Sequence, residues 1–217
     1  EVAHAWWAHQ VVGADAQGST MLSETLAQYS SMMVMEKEFG ARNLRCFLQY
    51  ELDSYLMGRA MESRREMPLE YVENQPYIHY RKGSVVMYGL RDLVGAEPLN
   101  RALAAYIKAV AFQEPPYTYS KEFLDYVQQA VPPDKLSILD DLFRTITLYE
   151  NKATKATWAR REDGKYLVRV EVASSKFRSD GAGKESPASL DDWVDVAVFG
   201  DKEKDAPPEG KILSLEK

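Results

Sequence analysis

At 217 residues with 45% hydrophobic side chains, the chain is long enough for one large or two small domains and can fill a packed core, which excludes a disordered protein. A net charge of −6 and a sequence pI near 5.2, without a long run of Lys or Arg, argue against a nucleic-acid partner, because phosphate binding needs clustered cations. The single cysteine, Cys46, excludes a disulfide-built secreted scaffold and leaves the redox compartment open.

The first predicted element is a helix over residues 1–12, opening with Glu1-Val2-Ala3-His4. These residues are what a His-Glu-x-x-His pattern leaves if the residue before Glu1 is a histidine, and a start inside a motif reads as that of a fragment. Two histidines four apart lie on one helix face and can grip one metal ion, with the glutamate directed at an adjacent solvent position. A catalytic zinc takes three protein ligands and keeps a fourth place for water, so another ligand has to come from elsewhere. After a polar loop carrying Gly13 and Gly18, a second helix begins near Thr20 and offers Glu24, followed by Leu26, Tyr29 and Met33 at helical spacing. Asp15 is the other acidic residue in range. The helix is expected to reach Phe39 and end at Gly40 as its C-terminal cap.

A third helical pattern covers residues 41–65, with Leu44, Leu48, Leu52, Tyr55 and Leu56 near one stripe and Arg42, Arg45, Glu51 and Arg59 on a solvated face. Cys46 reads as a buried thiol in this run, not as a nucleophile. Pro68 and Pro76 mark residues 67–75 as a loop. Tyr77-Ile78-His79-Tyr80-Arg81-Lys82-Gly83-Ser84 opens another helix, continuing through Val85, Val86, Leu90 and Leu93 to Gly95. Residues 96–112 form a further helix that buries Leu99, Leu103, Tyr106, Ile107 and Val110 and is ended by Pro115 and Pro116. Ser120 is the expected cap of a short helix with Phe123, Leu124, Val127 and Val131, and Pro132-Pro133 leads into a last one over 136–143.

From about Thr145 the period becomes alternating: Tyr166, Val168, Val170 and Val172 share one face, and Asp163-Gly164 between two strand-like runs signals a hairpin. Residues 179–185 read as a loop, 193–199 as a strand, and 201–210 as a polar connection before a final short strand near Ile212. The fold class is α+β, antiparallel helices followed by a small antiparallel β module.

His4-Ala5-Trp6-Trp7, the Leu22-Ser23-Glu24 run and Tyr80-Arg81-Lys82-Gly83 together resemble the aminopeptidase N family of zinc metallopeptidases, the gluzincins. That family's pattern is His-Glu-x-x-His, usually eighteen intervening residues, Glu inside Leu-x-Glu, and Tyr-x-Lys-Gly further on. Here the first histidine would precede the chain, and the interval from His4 to Glu24 is one residue longer than usual. The resemblance implies Glu1 as general base, His4 and Glu24 as zinc ligands, and Tyr80 as the hydroxyl that stabilises the tetrahedral intermediate, a phenol being neutral at pH 7 and able to donate to an oxyanion. It assigns nothing catalytic to His79, which reads as a helix-start residue.

The resemblance further implies that residues 1–144 are the antiparallel helical part of a gluzincin catalytic domain and 145–217 a β-sandwich-like domain. The intact parent would be a zinc-dependent aminopeptidase acting on peptides, with the upstream lobe of the same parent as this fragment's partner. Alone, the fragment is expected to be inactive and to hold zinc weakly or not at all. Amino-terminal specificity in the family rests on a Gly-x-Met-Glu-Asn segment upstream of the zinc motif, which this chain lacks. Two other readings stay open. One is a non-catalytic binding or scaffolding module of the same fold, favoured if the residue before Glu1 is not histidine. The other is the peptidase portion of a bacterial membrane transporter-like protein, since some bacterial relatives with similar tail sequences are fused behind such membrane helices. Membrane contact would then lie outside this chain, which as given reads as soluble: no apolar run approaches the ~20 residues of a spanning helix, and there is no signal peptide.

Overall fold

The helical pattern that continues past Phe39 breaks at Gly40, whose φ of 81° and ψ of 157° are open to glycine and costly for any residue with a Cβ. The computed structural model describes residues 1–200 and 212–216, and in it Leu26–Met61 forms α1, a helix in two arms that meet at this glycine. A straight helix would hold residues 25 and 58 roughly 50 Å apart. Instead Thr25 packs against Gly83, and Gly58 against Tyr77, at the two ends of one short segment, so the second arm folds back along the first.

Around α1 the order is a 3₁₀ turn Val2–Ala5, a π-helical turn Met21–Thr25, a second 3₁₀ turn Leu69–Tyr71 and a second π-helical turn Tyr77–Lys82. Then come α2 (Gly83–Val94), α3 (Ala96–Val110), α4 (Ser120–Gln128) and α5 (Ser137–Leu139), the last running into a third π-helical turn, Asp140–Arg144. Strands β1 (Ile146–Arg160), β2 (Tyr166–Ser179) and β3 (Glu185–Ala188) form one sheet in that order, and β4 (Val196–Phe199) pairs antiparallel with β5 (Ile212–Glu216). The chain divides into two compact units, Glu1–Leu148 with Arg178–Ser186, and Tyr149–Phe177 with Pro187–Lys217. The polar connection expected over 201–210 lies outside the described residues. Among the described residues, no helix is long and apolar enough to cross a membrane.

The core of the helical unit is built from Met21, Leu22, Leu26, Met32, Leu44, Ile78, Met87, Leu90, Tyr106, Phe123 and Phe143, all buried, each worth about 1.5–3 kcal/mol on removal from water. Several local expectations change. The helix over 1–12 is only the turn Val2–Ala5, because Ala8 takes a φ of 107° and Trp7 bridges Val11. Burial of Trp7 and Val11, with the Trp7 Nε1 donating to Ser30 Oγ at 2.8 Å, outweighs further helical turns.

On the second arm of α1 the inward stripe is Leu44, Leu48, Glu51 and Tyr55, at spacings of four, three and four, while Leu52 and Leu56 face outward. Glu51, expected in solvent, is therefore fully buried, and Cys46, expected inside, is exposed. Ser120 makes no cap: Tyr119 occupies the cap position without a side-chain bond, and Ser120 is buried against Gly18. The Asp163-Gly164 turn forms, with Gly164 at φ 80° and Lys165 N donating to Asp163 Oδ1 at 3.1 Å. The face carrying Tyr166, Val168 and Val172 is nevertheless open to solvent.

Gly18 is the tightest glycine position among the described residues. Its φ is +91°, and a Cβ there would overlap the Glu70 carbonyl oxygen and sit 2.5 Å from Ser120 Oγ. Gly89 lies inside α2, where a Cβ would meet nothing within 4 Å. In urea unfolding monitored by circular dichroism, Gly18→Ala is expected to lose about 2 kcal/mol or more. Gly89→Ala should gain roughly 0.5–1 kcal/mol.

Candidate functional site

Two of the π-helical turns carry the residues singled out in the sequence, Glu24 on Met21–Thr25 and Tyr80 on Tyr77–Lys82. A π turn widens the helix by one residue and re-aims side chains, and such turns recur at functional sites. The two turns face each other: the Tyr80 hydroxyl donates to Glu24 Oε2 at 2.5 Å. The same oxygen lies 3.6 Å from His4 Nε2. His4 is oriented from behind, its Nδ1 being 2.9 Å from the Trp7 carbonyl oxygen, so the Nδ1–H is donated there and Nε2 is turned toward Glu24.

This geometry can be tested against a cation. Two ligands on one tetrahedral zinc, each about 2.1 Å from it, are roughly 3.4 Å apart, close to the 3.6 Å between His4 Nε2 and Glu24 Oε2. A ligating histidine characteristically donates its other ring N–H to a carbonyl or carboxylate, as His4 does. Both donors suit the ion, then, and they come from separate segments. Among the described residues no group of three or more His, Cys, Asp or Glu converges on one point, so the pair amounts to two ligands. Asp15 is exposed and makes no part of this cluster.

Tyr80 is held as a hydrogen-bond donor. Its bond to Glu24, with burial and the charges of Glu24 and Glu1 added, raises its pKa from 10.0 to about 12. The phenol therefore keeps its proton throughout the neutral range. Glu1 is exposed at the head of the Val2–Ala5 turn, and its charge adds slightly to the upward shift of the Tyr80 pKa. His79 does not join the pair. It is buried with its ring edge-on to Tyr80, centroids 4.4 Å apart, and burial lowers its pKa, favouring the neutral form.

Beneath the site lies a layer that the sequence reading missed. Arg81 Nη1 pairs with the buried Glu51 at 2.6 Å, and Lys82 Nζ lies 3.7 Å from Glu66 Oε1. Glu66 is also held by the Tyr55 hydroxyl at 2.6 Å and Arg59 Nε at 2.7 Å. These pairs clamp the Tyr80 turn to the second arm of α1. A signal existed for one of them, since Glu51 falls seven residues after Leu44 and so interrupts an apolar stripe.

The profile described as peptidase family M1 domain matches residues 1–144. No curated protein matches, and no solved structure does.

Lys82 gives this layer a pH signature. Burial lowers its pKa from 10.5, with Glu66 opposing, so above the depressed value the unfolded chain binds more protons than the folded one. Stability then rises with pH in the window up to 10.5. Relative to Lys82→Met, which abolishes this titration, the wild-type chain is expected to gain stability as pH is raised from neutral toward that limit. Urea unfolding at a series of pH values measures it; a flat or falling difference would contradict the assignment.

Proposed function

The chain belongs to peptidase family M1, and on that premise we propose that it carries part of the active site of a zinc-dependent aminopeptidase. The observation that supports this most is the convergence of His4 Nε2 and the Tyr80 hydroxyl on one carboxylate oxygen of Glu24. In this reading His4 and Glu24 hold the zinc with a third ligand, the histidine that the family's pattern sets immediately before Glu1. Zinc, when bound, supplies Lewis acidity toward a carbonyl and makes water a nucleophile at neutral pH.

The chain's own residues do the rest. Glu1 is the general base, taking a proton from the attacking water and passing it to the leaving amine. Tyr80, kept protonated by its surroundings, donates its hydroxyl hydrogen to the oxyanion that forms as the carbonyl is attacked. A boundary between residues 144 and 145, with a β-sandwich-like domain after it, belongs to the same proposal. The extent of the family match and the start of β1 at Ile146 support it, whereas the compact units divide after Leu148 and keep Arg178–Ser186 with the helices. Exopeptidase specificity rests on the resemblance of the motifs to the aminopeptidase N family.

Zinc analysis of the parent protein and its His4→Ala variant tests the ligand assignment, with less zinc expected in the variant; equal content in both would sink it. In the same parent, Tyr80→Phe should lower kcat by about 10²- to 10³-fold while zinc content and fold are retained. Near-normal turnover would leave Tyr80 a packing residue.

The 217 residues alone, offering two donors, are expected to bind zinc weakly and to leave aminoacyl reporter substrates uncleaved. Cleavage by a preparation shown free of host peptidases would prove that wrong.

A further inference from the structure

Glu24 and Tyr80 meet because their two turns are held in phase, and the residue between them that can do this is Thr25. It has no solvent exposure, and its Oγ1 donates to the His79 carbonyl oxygen at 2.6 Å. The bond joins the residue after Glu24 to the residue before Tyr80, one peptide away from the place where those side chains touch at 2.5 Å. Successive helical residues point about 100° apart, so Glu24 can turn toward His4 while Thr25 turns into the opposing backbone.

Sterics narrow the fit further. A Cβ on Gly83 would sit 2.6 Å from Thr25 Oγ1 and 2.7 Å from its Cγ2, so the threonine is seated directly on the glycine that follows the Tyr80 turn. The other restraints on that turn act elsewhere. Arg81 and Lys82 tie it to Glu51 and Glu66, and Ser84 Oγ donates to the Tyr80 carbonyl oxygen at 2.6 Å from within the same segment. None of these fixes Tyr80 relative to the turn that bears Glu24.

We propose that Thr25 is a positioning residue whose buried hydroxyl sets the register between the two turns, holding the Tyr80 phenol against the Glu24 carboxylate. The role in catalysis rests on the function proposed above. The register itself can be read in the 217-residue chain without zinc or turnover. Urea unfolding of the wild-type chain, Glu24→Ala, Tyr80→Phe and the double variant forms a cycle that measures the coupling between the two side chains. The cycle is then repeated with Thr25→Ser and with Thr25→Val.

The wild-type coupling is expected to be roughly 3- to 30-fold in the unfolding equilibrium constant. Thr25→Ser keeps the donor and should preserve it; Thr25→Val keeps the shape without the donor and should bring it close to onefold. Thr25→Ala takes the place of Thr25→Val if valine does not fold. A threonine that served packing alone would change stability and leave the coupling untouched. Coupling that persists without the hydroxyl, that is lost in Thr25→Ser, or that is absent from the wild-type chain would overturn the proposal.

In the active parent, Thr25→Val should lower kcat by about 10- to 100-fold at unchanged KM, with recovery in Thr25→Ser. An unchanged kcat there would overturn the catalytic role. Failure of the peptidase reading looks different: the wild-type parent then shows no turnover, or Tyr80→Phe and Glu24→Ala leave its turnover intact, whatever the cycles give.

Discussion

The helical unit is organised by how closely one short segment, Tyr77–Lys82 with Gly83 after it, approaches both the Met21–Thr25 turn at the head of α1 and the end of its second arm. Two absent side chains permit that approach. A Cβ on Gly58 would overlap that of Tyr77, and one on Gly83 would press into Thr25. With both removed, backbone meets side chain at hydrogen-bonding distance, and Gly40 supplies the bend that brings the two arms to the same segment. The buried charges follow from this geometry. Glu51 and Glu66 lose water as the arms close, and Arg81, Lys82, Arg59 and the Tyr55 hydroxyl offset that loss. Such pairs add little net stability, but an arrangement that left one partner alone would be strongly disfavoured. They therefore select one seating of the segment over its neighbours.

The chemistry of the site is concentrated on a single atom. Glu24 Oε2 accepts the Tyr80 hydrogen bond and lies 3.6 Å from His4 Nε2, so a carboxylate, an imidazole and a hydrogen-bond-donating phenol share one locus. Hydrogen bonding and burial keep the phenol in its donor form, while the Trp7 carbonyl fixes the ring that presents Nε2. The His4 ring is thus oriented by a backbone group, and the Tyr80 phenol by the carboxylate it meets.

Much of this arrangement was legible in the residue order. Helical periodicity, Gly40, the proline pairs and Asp163-Gly164 marked the elements and their breaks, because each rests on local backbone physics. Motif order identified the family and drew attention to His4, Glu24 and Tyr80, which the fold brings together across 76 positions of sequence. Tertiary seating was not legible. Glu51 read as a surface charge because exposure is the usual fate of glutamate, and its partner Arg81 lies thirty positions away. Ser120 read as a cap from its type alone, whereas a close approach to Gly18 decided its place. The opening helix gave way to a turn because the burial of Trp7 and Val11 outweighed local propensity.

The β1–β2 hairpin follows a different logic. Residues 149–169 are exposed on both faces of the ribbon, while Ile146 and Lys176 near its base are buried. Ladder hydrogen bonds and a few cross-strand contacts, such as the Trp158 and Tyr166 rings 5.6 Å apart, hold the outer part together without a core beneath it. Local opening costs little where few apolar contacts are broken. Protection of backbone amides from exchange with solvent deuterium consequently falls from the base of the ribbon to its turn, and the exposed Asp163-Gly164 tip is a place where the chain tolerates an inserted sequence.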